Sequence, residues 1–278
     1  AKGTFQYVQK VRVPGMVHGK VVRPPVLGSK LKSIDKTVLN GMAGNPKVYT
    51  NNDWVGVVAD NEWAAIQAAA AVAGGITWTG GDTLPAQADL YTTMLKSPTQ
   101  DTYITNSGDV DKSLAGAAKT MSAQYLVPFQ MHASMGSSCA VADVRGTGKT
   151  ATARIWSATQ GVYAAQAYSA AALGVPNGNV QVYFVDGSGC YGHNGGEPVT
   201  LDAVLLSQAA GKPVRVQYSR RDEMAAGENY GHPLIGNQKV GLNASGRIVA
   251  WDYEAIKWQK GEGLSSATGL GNAMPGSL

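Results

Sequence analysis

At 278 residues, 44% hydrophobic and only 15% charged, the chain is long enough to bury one large core or two of ordinary size. Its net charge of +4 is small and scattered, and no stretch interleaves basic with aromatic residues, which excludes a nucleic-acid platform. No run of eighteen apolar residues occurs, so no membrane span is expected, and the sequence from Ala1 onward reads without a signal peptide.

The first strand is expected from Met16 to Arg23, stopped by Pro24 and Pro25. Short strands follow at Lys30–Asp35 and Pro46–Thr50, then one from Asp53 through Val58. An alanine-rich helix starts at Asn61, with Asp60 or Asn61 as its cap and Glu62 in the first turn, where the helix dipole favours a carboxylate. Ile76–Thr79 returns as a strand, so residues 1–80 read as one compact α+β unit. Residues 81–120 turn polar and Gly/Thr/Ser/Asp-rich, with a weak helical patch near Asp89. They are expected as a connector lying over the surface. Leu84, Leu90, Tyr91, Met94, Leu95, Tyr103 and Ile104 argue against a free linker.

The third region, 121–278, opens with Tyr125–Met135 leading into a strand over Ser137–Gly146, with Lys149–Gln160 as its antiparallel neighbour. A helix over Gly161–Gly174 ends at glycine and Pro176. Then comes the stretch with the strongest local signal: a β-rich run Val180–Val185, the loop DGSGCYGHNGG, a helix opened by Glu197 and Pro198, and a strand ending at Ser219. Gly246–Lys257 gives a long strand, and the tail after it has no periodicity and reads as cut.

Gly187, Gly189, Gly192, Gly195 and Gly196 allow a backbone with positive φ and close approach to a ligand, and free N–H groups between a strand end and a helix start form an anion cradle. The plain alternative is a connecting loop with turn glycines. GSGCYG also matches G-x-G-x-x-G, and Arg220 and Arg221 after the next strand would suit the 2′-phosphate of an NADP-binding α/β domain. Against that, HNGG delays the helix past the motif, and no acidic residue closes the second strand. A hydrolase elbow is absent because Asp186 stands where its first glycine belongs. Cys190 with His193 three residues on makes a poor nucleophile and base pair, and a loop-packed thiol is the simpler reading. Four dispersed histidines (His18, His132, His193, His232) and two cysteines give neither zinc spacing nor a disulfide framework. A second strand–loop–helix unit lies some thirty residues upstream, at SATQG (Ser157–Gly161). Its Gln160 is either a helix-start residue bonded to backbone or one half of a two-loop cofactor site.

The run RIWSATQGVYAAQAYSAAALGVPNGNVQVYFVDGSGCYG, followed by PVRVQYSRRDEM, resembles the molybdopterin-binding large subunit of the xanthine dehydrogenase and aldehyde oxidase family. MVHGKVVRPP, KLKSID and WVGVVADNEWAAIQAA resemble that family's α/β hammerhead domain. GSGCYGHNG with HASMGSSCAVAD points to the branch of isoquinoline and nicotinate dehydrogenases. The resemblance covers almost the whole chain. It implies an α+β fold: a hammerhead domain at 1–80, a connector at 81–120, and the first molybdopterin-binding domain from 121 to 278.

By the same resemblance, Gln160 falls on the glutamine that hydrogen-bonds an oxo ligand of molybdenum. Gly189, Cys190, Tyr191 and Gly192 fall on the loop whose N–H groups face the cofactor, with Tyr191 at the family's Phe. Gly195 stands where xanthine-oxidising members carry a substrate-binding glutamate, which speaks against a purine. The catalytic glutamate is expected beyond Leu278, so no catalytic base is assigned. Glu197, Glu223 and Glu254 are read as surface or helix-start carboxylates. The implied cofactor is molybdopterin, in its cytosine dinucleotide form, with the metal held by the pterin dithiolene and by no protein ligand. The implied reaction is hydroxylation of an aldehyde or an N-heterocycle with oxygen from water. The implied partners are the remainder of the large subunit and an iron–sulfur subunit or domain carrying 2Fe–2S clusters, in the bacterial cytoplasm or at the periplasmic face of the inner membrane. A non-catalytic structural or assembly fragment is the competing class.

Overall fold

A computed structural model describes residues 2–26, 28–81, 85–192, 196–224, 231 and 233–257. His193, Gly195, His232 and the tail beyond Lys257 lie outside them, as does the side chain of Glu197. The first strands are β1 (Val17–Val22), β2 (Lys30–Ile34), β3 (Lys47–Asn51) and β4 (Trp54–Ala59), then α1 (Glu62–Gly74) and β5 (Ile76–Thr79). Of the two expected caps of α1, Asn61 is the one used: its Oδ1 accepts the Ala64 N–H at 2.9 Å. Next come α2 (Leu90–Lys96), α3 (Val110–Ala115), β6 (Lys119–Val127), β7 (Cys139–Arg145) and β8 (Thr152–Ser157). The chain continues through α4 (Val162–Leu173), β9 (Val180–Phe184), α5 (Gly196–Ala210), β10 (Val214–Gln217) and the one-turn α6 (Arg220–Asp222) to β11 (Leu234–Leu242) and β12 (Ile248–Lys257).

Seven strands form one mixed sheet in the order β3-β4-β1-β10-β7-β8-β9. β7 and β8 are antiparallel neighbours as expected, with Ala142 beside Ile155. The pairing of β1 with β10 is parallel, Val17 lying beside Val214, and joins segments almost two hundred residues apart. Residues 1–80 are therefore not a separate unit, which corrects the division drawn at 80. β4 is buried at all six positions because both faces of the sheet are covered there. Val55 and Val57 pack with Ala68 and Val72 of α1, while Trp54 and Val58 join Leu201, Val204 and Leu205 of α5 on the opposite face. α5 comes close because glycine lies beneath it: a Cβ on Gly19 or Gly56 would stand 2.5 Å from the Leu206 methyl groups.

The described chain divides into two compact units. One draws on 1–83 and 131–229, and the other on 84–130 and 230–260. In the second unit, β12, β11 and β6 form an antiparallel sheet, Ile235 facing Leu126 on one side and Ile256 on the other. Leu90 and Met94 of α2 bury Ile235 with Tyr91 and Ile256 packed alongside. The expected connector 81–120 is thus corrected to the helical part of this second unit. The weak helical patch near Asp89 is α2, whose Leu90 and Met94 cover the sheet, while Leu95, Tyr103 and Ile104 stay exposed.

Candidate functional site

β8 and β9 are parallel neighbours, with Ser157 beside Phe184 at their carboxyl ends. The loops that begin at Ala158 and at Val185 therefore leave the sheet at the same end, one leading to α4 and one to α5. The first loop is shaped by its own side chains. Ser157 Oγ accepts the Thr159 N–H at 3.2 Å, and Thr159 Oγ1 accepts the Gly161 N–H at 3.1 Å. Ser157 is fully buried and shares a 2.6 Å hydrogen bond with Thr200 in the first turns of α5, tying the two loop–helix units together.

Gln160 projects from the first loop to the second, where its Nε2 donates to the Gly192 carbonyl at 3.4 Å. It does bond backbone, as the plain reading expects, but the backbone belongs to the glycine loop. Gln160, Gly189 and Cys190 line one cleft of about 290 Å³ together with Ala158, Phe184, Asp186 and Gly187. Gly189 and Gly192 take φ of 120° and 109°, which side-chain-bearing residues rarely adopt. Tyr191, at φ 51°, is 62% exposed and its ring lies against Gly189, where an added Cβ would meet it at 3.0 Å. The structure thus places all five expected residues on one pair of loops, three of them (Gln160, Gly189 and Cys190) lining the cleft while Tyr191 and Gly192 stand in the adjoining turn.

Patterning missed the segment 131–138. Gly136 N–H donates to the Ser188 carbonyl at 3.3 Å, and a Cβ on Gly192 would stand 3.0 Å from the His132 ring. Glu223 anchors this segment. It is 2% exposed, and its Oε1 accepts the Ser138 N–H at 2.6 Å and the Ser138 hydroxyl at 2.7 Å. Arg220 bonds Glu223 Oε2 at 2.5 Å and also reaches the Ser134 carbonyl. Glu223 is therefore a buried, paired carboxylate, which corrects the surface reading. Its charge is tolerated because every bond it accepts comes from a fixed donor. Glu254 is exposed on β12, as expected. Asp186 was also overlooked as a lining residue, because it was weighed only as a mismatch to a hydrolase motif.

Behind the loops, α5 is pinned by Asp202, which is fully buried. Its carboxylate takes Arg23 at 2.6 Å, the Tyr218 hydroxyl at 2.6 Å and the Trp54 indole N–H at 3.2 Å. Burial, and then the neighbouring carboxylate, pushes the Tyr218 hydroxyl well above its ordinary pKa, so it remains a donor. Cys139, behind the 131–138 segment, is 1% exposed and burial pushes its thiol up to about 11, which makes it an unreactive packing residue.

No group of three metal-ligating side chains exists among the described residues. Among the described residues the cleft offers backbone, the Gln160 amide, the Cys190 thiol and the Asp186 carboxylate. The fold does not suit a dinucleotide: β9 and β10, which would be adjacent in a dinucleotide-binding fold, are separated by β7 and β8. This corrects the NADP alternative.

The family model of the molybdopterin cofactor-binding domain matches residues 95–267. A nicotinate dehydrogenase subunit of Pseudomonas putida is 35% identical over 265 residues, which cover 91% of this chain and 22% of that protein. A membrane-bound aldehyde dehydrogenase [pyrroloquinoline-quinone] of Gluconacetobacter polyoxogenes is 27% identical, over 93% of this chain and 34% of that protein. Among solved structures, quinoline 2-oxidoreductase from Pseudomonas putida 86 superposes with a TM-score of 0.70 at 18% identity, over 91% of this chain and 37% of that one. The chain thus spans between about a fifth and two fifths of the length of these relatives. The family model covers more than half of the chain, and the chain belongs to the molybdopterin cofactor-binding domain family.

Proposed function

We propose that the chain is the cofactor-cradling part of a molybdenum hydroxylase large subunit that oxidises N-heterocyclic aromatic substrates. One observation carries the reading: the parallel pair β8 and β9 delivers Gln160 and the Gly189–Gly192 turn to one cleft, joined by the Gln160 hydrogen bond to Gly192. The N-heterocycle preference over an aldehyde rests on the 35% identity to a nicotinate dehydrogenase subunit. Residues 1–80 correspond to the hammerhead region in this reading, although three of their strands belong to the shared sheet.

The cofactor, in its cytosine dinucleotide form, supplies the metal-centred oxidation–reduction chemistry when bound. The chain's own residues orient it. Backbone N–H groups of the Gly189–Gly192 turn would serve the cofactor as neutral donors, and the Gln160 amide would offer it one N–H. The open positive-φ backbone at Gly189 and Gly192 leaves room that side chains would fill. Electrons would leave through a partner subunit or domain carrying 2Fe–2S clusters, in line with the two cysteines of this chain being too few to hold one. The remainder of the large subunit supplies the base. The assembly works in the bacterial cytoplasm or at the periplasmic face of the inner membrane in this reading, and among the described residues no helix is long and apolar enough to cross a membrane.

Gly189→Val in the full-length, assembled enzyme tests the cradle. A β-branched residue at φ 120°, with its Cβ 3.0 Å from Tyr191, cannot hold the turn. The expected result is a folded protein with several-fold less molybdenum per polypeptide and proportionately less nicotinate hydroxylation. Normal molybdenum content would reduce these glycines to turn residues, and oxidation of aldehydes alone by the wild type would overturn the substrate class.

A further inference from the structure

The glycine loop is held from behind by segments remote in sequence. Val8 lies in a single 3₁₀ turn near the N-terminus, Val8–Lys10, and its N–H donates to the Asp186 carbonyl at 2.8 Å. On the other side Gly136 N–H reaches the Ser188 carbonyl, and the approach is so close that a Cβ on Gly136 would sit 2.5 Å from Ser188 Oγ. Gln9 joins the two supports. Its Nε2 donates to the Ser137 carbonyl at 3.0 Å, and its Oε1 accepts from Ser188 Oγ at 3.4 Å. Its own carbonyl accepts from Nη2 of Arg215, a residue only 3% exposed, whose Nη1 lies 3.2 Å from Glu62 Oε1 at the start of α1.

We infer that Gln9 is a positioning residue that fixes the glycine loop in the shape the cofactor requires, an inference that rests on the cofactor reading above. An amide is suited to the task because it donates to one segment and accepts from the other in the same plane. A loop with this many glycines samples many backbone states when unsupported, and a cofactor binding it would first have to order it. Anchoring Gln9 to a buried guanidinium on β10 makes the support part of the sheet, so the loop inherits the sheet's rigidity. A carboxylate at position 9 would keep the acceptor and lose the donor, which separates the two halves of the bridge.

The test uses the full-length, assembled enzyme carrying Gln9→Ala or Gln9→Glu, prepared both with the cofactor and in a host unable to make it. In the cofactor-free protein, amide hydrogen exchange over residues 186–192 should quicken about five- to tenfold in Gln9→Ala, as expected for losing one or two hydrogen bonds that hold a local segment. Exchange in α4 and α5 should stay unchanged, and Gln9→Glu should fall between wild type and Gln9→Ala. In the cofactor-loaded protein, molybdenum per polypeptide should fall in the same order. Unchanged exchange over 186–192, or exchange raised equally through α4, α5 and β7, would overturn the positioning role. Quickened loop exchange with full molybdenum content would keep Gln9 as the loop's support and instead remove the loop from the cofactor site.

Discussion

At the scale of single residues, the site is made mostly of groups that carry no charge. Gln160 contributes a donor that carries no charge to desolvate when a ligand covers the cleft. Its hydrogen bond to Gly192 is long, at 3.4 Å, and so a weak one. In the assembled enzyme, Gln160→Ala should therefore keep its cofactor and slow the chemical step by on the order of 10²-fold, the usual effect of losing one aimed donor in a water-poor site. Rapid-mixing measurement of the reductive half-reaction, normalised to bound molybdenum, checks this. A rate equal to wild type would leave Gln160 as a bridge between two loops and nothing more. Glu223 and Asp202 follow the opposite rule. Each is a buried charge, and each is surrounded by donors that fix a loop or a helix which the site needs.

At the scale of elements, α5 is the part on which the cradle stands. It follows the glycine loop, covers one face of the sheet through Leu201, Val204 and Leu205, and is locked by Asp202 to Arg23 just past β1, to Trp54 of β4 and to Tyr218 at the end of β10. Arg23 has 12% of its side chain exposed and Asp202 none, so removing the carboxylate strands a cation and two further donors. Asp202→Ala should destabilise the protein by about 3–5 kcal/mol, as for other buried pairs broken on one side. Urea unfolding of wild type and variant measures it, and a loss below about 1 kcal/mol, the level of an exposed pair, would show the network to be dispensable. Residue patterning made each of these elements legible. Alternating valines, the Asn61 cap and the Gly174 stop marked boundaries because those signals are local. The pinning of α5 was not legible, since Arg23, Trp54, Asp202 and Tyr218 are spread over almost two hundred residues.

At the scale of the whole molecule, the two units bury separate cores, and the cleft lies entirely within the larger one. Among the described residues lining it, the one carboxylate is Asp186, at the base of the glycine loop. On the proposed function, which assigns the base and the electron acceptor to other parts of an assembly, the 278-residue chain produced alone should fold yet show no dye reduction with aldehydes or N-heterocycles. Circular dichroism during urea unfolding, together with the dye assay, checks both halves. Turnover by the isolated chain with stoichiometric molybdenum would overturn the division of labour.

What the sequence by itself determined is whatever depends on near neighbours along the chain. The strand–loop–helix units at 152–173 and 180–210, the glycine turn and the place of Gln160 all follow from hydrophobic period, capping and backbone freedom. Resemblance to a family then named the chemistry. Only the tertiary structure decided that β1 joins β10, that the polar stretch 81–120 belongs to a second unit, and that Glu223 and Gln9 stand behind the loop. These are long-range pairings. A β-strand carries no mark of its partner, and a carboxylate or amide reads the same in sequence whether it meets water or a ring of fixed donors.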